Sequence, residues 1–411
     1  MSAELRRTEN RKSALGGTSG VFPGQQLRLA VGAGIIRSER YSIPESSYQP
    51  ASLDLRLGDT AYRLRSSFLP GSEAVDDKLH DYSMGTLDLR DGAVLERDRP
   101  YLVPLCEELV LPPGVRARTN PRSSTGRLDV FTRVVTDKGH HFDEIPDGYV
   151  GRLYLEVVSR SFTIKVQTGL ALNQLRLISG RAACSDDDIV RLHDKAPLLF
   201  DRHRPVAAEE LRVAGGLFLS VDLSRMDFVG YRAKKNSSLL DLSRTAFYDP
   251  GDYWERLKPE RKQRFVLEPE EFYLLVSRER VRIPPMYAAE MAAYDPTSGE
   301  LRTHYAGFFD PGFGDVAAGG AGLGTPAVLE VRAHDVPFMI EHEQRVCKLT
   351  YERMQSEPER VYGVGMGSRY QRQYLALGRQ FQEAEAAHLE EPAPRILFPE
   401  EALAGDSTPG T

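Results

Sequence analysis

The strongest constraint on this chain is that it reads itself twice. Tyr101-Leu-Val followed by Leu111-Pro-Pro returns 172 residues later as Tyr273-Leu-Leu followed by Ile283-Pro-Pro. Pro121, Ser123 and Arg127 return as Pro296, Ser298 and Arg302, 175 residues on, and Leu155-Glu156-Val157 returns as Leu329-Glu330-Val331, 174 on. Gln174 finds Gln344 inside a matching apolar run. Matched points in one order with so little drift imply two units of the same kind. Between them lie short apolar runs that alternate or nearly alternate, such as Leu53-Asp-Leu-Arg-Leu57 and Leu153-Tyr-Leu-Glu-Val157. Clusters such as Leu111-Pro-Pro-Gly114 and Pro146-Asp-Gly148 separate them, the pattern of a strand-rich sandwich or barrel. Helical text is confined to three stretches near 25–36, 251–262 and 370–388.

The expected order is a flexible arm over 1–20, a first β domain over 21–182 and a charged linker over 183–214. A second β domain with a closing tail follows over 215–380, then a disordered tail over 381–411. The length of 411 residues accommodates two such domains. With a net charge of −6 there is no reason to expect nucleic acid as a partner. Cys106, Cys184 and Cys347 stand too far apart for a disulfide framework or a structural zinc site. No apolar stretch has the length of a membrane span, and the polar start, Met1–Gly20, lacks a signal core. The expectation is a soluble protein of the cytoplasm.

Two groups of residues carry chemistry. Arg122-Ser-Ser-Thr-Gly-Arg127 packs two guanidinium forks and two hydroxyls behind a proline, which suits a polyphosphate, or else a solvated turn paired with local acids. Glu156 and Glu330 each stand mid-strand between apolar neighbours. A buried carboxylate there needs a partner or a raised pKa, as a general base has; the alternative is an outward-facing residue. Other motifs weigh less. His388-Leu-Glu390 lacks the cysteine pair a zinc deaminase needs. His140-His141 with Asp143 and Glu144 reads as a polar loop, and the glycines of 319–324 and 363–367 lack the lysine of a phosphate-binding loop.

Taken together, Pro-Arg122-Ser-Ser-x-x-Arg127, Val328-Leu-Glu330, Ala306-x-x-x-Asp310-Pro-Gly and Tyr362-x6-Arg369-Tyr-x-x-Gln373 resemble the dCTP deaminases. These belong to the dUTPase-like β superfamily, and the double length is similar to its two-domain bacterial members. The resemblance implies two tandem dUTPase-like β-barrel or jelly-roll domains with a few short helices. It implies deamination of dCTP to dUTP and ammonia without zinc, Mg²⁺ arriving on the triphosphate, and a site built between neighbouring β domains. Single-domain relatives form trimers, so a trimer-like arrangement of domains and a homo-oligomer are expected, and dTTP is a candidate feedback inhibitor.

Carried over, Glu330 is the base, Arg127 orients it and its water, and Ser123 completes the catalytic group. Arg122 and Ser124 hold phosphate, while Ala306, Asp310, Val328 and Leu329 frame base and sugar. Tyr362, Arg369 and Gln373 close the pocket; position 369 is usually lysine in the family. The first copy keeps the Arg-Ser-Ser motif and the second keeps the turn, the glutamate and the tail, so the two are expected to build one composite site. Glu156 is the alternative base. The rival activities are dUTP diphosphatase, alone or combined with deamination, and a nucleotide-binding regulator without turnover.

Overall fold

The computed structural model describes residues 18–202, 204–225, 227–293, 301–303 (backbone), 307–315, 323–333, 335–363, 366, 370–371 and 373–383. The expected tail over 381–411 lies almost wholly outside them, as do the first 17 residues of the expected arm. His388, Glu390, the 319–322 glycines and the 364–365 and 367 positions lie outside as well.

The alternating runs form strands. Tyr101–Val110 buries every second residue over its outer part and pairs with Val150–Ser159, which pairs in turn with Val130–Thr136. A facing sheet sets Leu53–Arg56 and Val115–Pro121 on either side of Ala171–Ser179. The second half repeats the arrangement. Tyr273–Val281 pairs with Thr325–Ala333, and Tyr287–Ala293 pairs with Arg345–Arg353. The register is the same in both halves: Tyr101 faces Val157 and Leu102 faces Glu156, as Tyr273 faces Val331 and Leu274 faces Glu330.

The strand Thr325–Ala333 is buried at every position. Successive side chains of a strand point to opposite faces. Leu329 and Val331 therefore enter the second half's own core, while Val328 joins a core cluster shared with the first half. That shared cluster also takes Tyr231, Trp254, Leu375 and Leu377, so the halves meet through apolar side chains. At the end of the same face Arg332 makes a two-pronged pair with Asp129, which is fully buried and also accepts from Ser161 Oγ at 2.6 Å. Losing one partner of such a pair leaves a buried charge and costs about 3–5 kcal/mol. On another part of the seam, buried Arg176 meets Glu352 at 3.2 Å and Arg118 meets Glu290 at 2.9 Å.

Three expectations change. The 251–262 stretch is helical only where the helix Pro250–Tyr253 overlaps it; Trp254–Leu257 is a strand on Gly230–Ala233, its buried Trp254 and Leu257 flanking two exposed residues. Residues 373–383 form no helix but run along the seam, Phe381 bridging to Tyr248. The segment 183–214 is not a bare linker. It holds a helix, Asp186–Lys195, started by a capping box between Ser185 and Asp188, and a strand, Leu199–Asp201, on the edge of Tyr273–Val281. Ile189, Leu198 and Leu199 pack into the second half's core, which fixes the segment to that half.

Candidate active site

A cavity of about 380 Å³ opens along the seam. The first half lines it with Asp54, Arg122, Ser123, Ser124, Arg127 and Gln174. The second half adds Phe308, Asp310, Phe313, Val328 and Glu330, and the chain's last described stretch adds Tyr362, Tyr370, Gln373 and Arg379. Both halves are needed to enclose it.

Local sequence shapes the wall that carries Arg122, Ser123 and Ser124. Pro121 ends a strand, Arg122 stays extended with its N–H on Leu172 O, and Ser123–Gly126 makes a single helical turn. The Arg122 guanidinium pairs with Asp54 at 2.8 Å. Gly126 then lies directly against the other half: a Cβ added there would stand 2.4 Å from Glu330 Oε2 and 2.8 Å from its Cδ. No larger residue fits without displacing that carboxylate.

Arg127, 4% exposed, is held on three sides. It donates from Nη1 to Gln373 Oε1 at 2.8 Å and to Ala376 O, and its guanidinium lies 3.9 Å from the centre of the Tyr370 ring. A cation over an aromatic face is stabilised by the ring's quadrupole. Among the described residues no hydrogen bond reaches the Glu330 carboxylate. Burial pushes its pKa well above the usual glutamate range; the Arg127 charge opposes the rise and the Asp129 charge adds to it. Asp310 is pushed up to about 6, first by burial, with Arg176 pulling down and Asp54 pushing up.

Of the residues named from sequence, Arg122, Ser123, Ser124, Arg127, Asp310, Val328, Glu330, Tyr362 and Gln373 line this one cavity. Ala306 and Arg369 lie outside the described residues. Leu329 is a correction: strand alternation turns its side chain into the core, away from the cavity. Glu156 is not brought to the site. It is 1% exposed, takes a hydrogen bond from Arg133 Nε at 3.0 Å, and sits beside Tyr154, which the helix Val75–Tyr82 covers through Val75 and Leu79. Asp143 is engaged locally, accepting from Thr119 Oγ1 and the Val134 N–H at 2.8 Å each. Among the described residues no group of three or more His, Cys, Asp or Glu gathers as for a metal ion.

Comparison with known proteins bears on this geometry. Residues 18–181 match the family described as the 2'-deoxycytidine 5'-triphosphate deaminase (DCD) N-terminal domain, and residues 185–381 match its C-terminal domain. The chain belongs to the dCTP deaminase family. A crystal structure of 2'-deoxycytidine 5'-triphosphate deaminase from Agrobacterium tumefaciens is 46% identical, with a TM-score of 0.78 over 85% of this chain and 100% of that one. A dCTP deaminase of Natronomonas pharaonis is 30% identical over 194 residues, 46% of this chain and 89% of its own. A relative from Beutenbergia cavernae, named dCTP deaminase, dUMP-forming, is 31% identical over 153 residues, 35% of this chain and 74% of its own. The mainly β architecture is thus the dUTPase-like one of dCTP deaminases, and the chain is an enzyme of that family.

Within this cavity, sequence reasoning missed Asp54, Gln174, Tyr370 and Arg379. Asp54 and Gln174 face each other across paired strands. Polar side chains interrupting apolar strand text, Asp54 and Arg56 in one strand and Asn173, Gln174 and Arg176 in the other, are the signal that could have found both.

Proposed function

We propose that this cavity deaminates dCTP to dUTP and ammonia, with Glu330 as the base. The observation that carries the reading is the contact of Gly126 with Glu330, which sets the donor-rich turn of one half on the buried carboxylate of the other. A carboxylate with a raised pKa holds a proton well enough to pass it on. Glu330 takes a proton from water as the water oxygen attacks cytosine C4. The proton goes to N3, and a second transfer lets the C4–N bond break, releasing ammonia and leaving a C4 carbonyl. Arg127, fixed by Gln373, Ala376 and Tyr370, orients the carboxylate and water, and Ser123 completes that wall. Arg122 and Ser124 take phosphate oxygens, with Mg²⁺ arriving on the substrate's triphosphate. Asp310, Val328 and Phe308 frame sugar and base, with Tyr362 and Gln373 over them. Free thiols at Cys106, Cys184 and Cys347 fit a reducing, cytoplasmic setting.

The test is ammonia release and nucleotide analysis from dCTP with Mg²⁺ after chelator treatment, comparing wild type with Glu330→Gln. The reading requires dUTP and ammonia from wild type and none from the variant; ammonia production that depends on added zinc would overturn it. A second reading, in which dUTP is cleaved on to dUMP, is favoured by the relatives named dUMP-forming and by Asp54, whose buried Oδ1 accepts no hydrogen bond among the described residues. Pyrophosphate among the products distinguishes it.

A further inference from the structure

Arg379 lies outside every motif that singled out the site, yet it lines the same cavity as Arg122. Its place is set by backbone rather than by chance packing. Arg379 O accepts from the Ala246 N–H at 2.9 Å, fixing it beside Thr245, another lining residue. Its neighbour Gly378 is pressed against the Arg-Ser-Ser turn, an added Cβ meeting Leu128 Cδ2 at 3.2 Å and Ser124 O at 3.4 Å. Three separate stretches, 122–124, 245–246 and 378–379, therefore converge on one wall.

Guanidinium and carboxylate groups stand side by side there. Asp54 is bound to Arg122 at 2.8 Å, and the charges of both Arg122 and Arg379 act on it. Arg122 and Arg379 both line this partly desolvated wall, where burial, then the neighbouring Arg122 charge, lowers the Arg379 pKa. Guanidinium groups in such a wall bind the oxygens of an entering phosphate as forks, in exchange with the carboxylates Asp54 and Asp310 that line the same cavity.

We propose that Arg379 is a triphosphate-binding residue, which closes on the terminal phosphates opposite Arg122 and makes the enzyme select triphosphates over nucleotides with fewer phosphates. This rests on the dCTP reading above. Bidentate donors bind phosphate oxygens as a fork, whereas lysine offers a point charge, so Arg379→Lys should keep part of the effect and Arg379→Gln lose it.

The experiment measures KM and kcat for ammonia release from dCTP, dCDP and dCMP with wild type, Arg379→Gln and Arg379→Lys, with unfolding temperatures alongside. The expected result for Arg379→Gln is a KM for dCTP raised about tenfold or more, as loss of a charge-assisted phosphate contact implies, with kcat changed by less than about threefold. KM for dCMP should stay at the wild-type value, and Arg379→Lys should fall between. Equal losses on dCTP and dCMP, or a lowered unfolding temperature with unchanged KM, would overturn the assignment by making Arg379 a structural tie. Failure of wild type to release ammonia from any of the three would instead sink the deaminase reading itself.

Discussion

Replacing Gly126 by alanine isolates the composite site in a single methyl group. The added Cβ would stand 2.4 Å from Glu330 Oε2, where ordinary contacts begin near 3.4 Å, so the carboxylate must retreat by about 1 Å. The obstacle is the mobile end of a side chain and not backbone, so the fold can yield at that point. Gly126 is also in helical conformation, where alanine is the better former by about 1 kcal/mol. Stability should therefore hold while geometry fails. A displacement of about 1 Å at a reacting group can cost roughly 100-fold, equivalent to about 2.7 kcal/mol of barrier. The expected Gly126→Ala enzyme has kcat down by about 100-fold, with KM for dCTP changed by less than about threefold and an unfolding temperature no lower than wild type. Ammonia release under saturating dCTP gives the first two, and thermal unfolding with and without dCTP gives the third. A variant with wild-type kcat would refute the reasoning, since it would show that Glu330 either is not the base or is not positioned by this contact.

As the proposed base, Glu330 must be ionised to accept a proton, so kcat/KM should fall as pH drops through its raised pKa, above the ordinary value of 4.5; an acid limb at or below 4.5 would contradict this. The same shift has a stability consequence. The folded state holds this proton more tightly than the unfolded one, so the site's contribution is full below the unfolded pKa and is lost as pH rises through the folded one. Glu330→Gln should thus raise the unfolding temperature at neutral pH and match wild type below about pH 4. Glu156→Gln should behave in the opposite way: turnover per folded molecule stays at the wild-type level, while the loss of a buried partner for Arg133 destabilises by about 1–3 kcal/mol, read by denaturant unfolding. Calorimetric titration of Glu330→Gln with dCTP and Mg²⁺ should give one nucleotide per chain, because the face carrying Glu156 is covered by the helix Val75–Tyr82.

What could be read in the sequence was what the chain states locally. The Arg-Ser-Ser turn and Glu330 each sit in a contiguous motif whose residue types announce their chemistry. Asp54 and Gln174 do not, because they reach the cavity through a strand register joining residues 120 apart. Arg379 depends on a hydrogen bond to Ala246, a meeting no periodicity encodes. The 251–262 stretch has charges at helical spacing, but Trp254 and Leu257 find more apolar surface as a strand against Gly230–Ala233. In 183–214 the sequence does carry a signal: Ser185 and Asp188 stand at capping-box spacing and the run of acids after Ser185 suits a helix start, although the same charges also fit a solvated linker.

Because the turn with Gly126 and the strand with Glu330 belong to one polypeptide, dilution cannot pull them apart. Tethered partners meet at an effective concentration far above that of separate molecules in a cell. Specific activity should therefore hold as enzyme is diluted. An inactive Arg127→Ala chain mixed with an inactive Glu330→Gln chain should not rescue it, whereas a site assembled between molecules would regain a share of its turnover. On the proposed division of labour, a lesion in one copy of a motif spares turnover per folded molecule, while the same lesion in the other copy abolishes it.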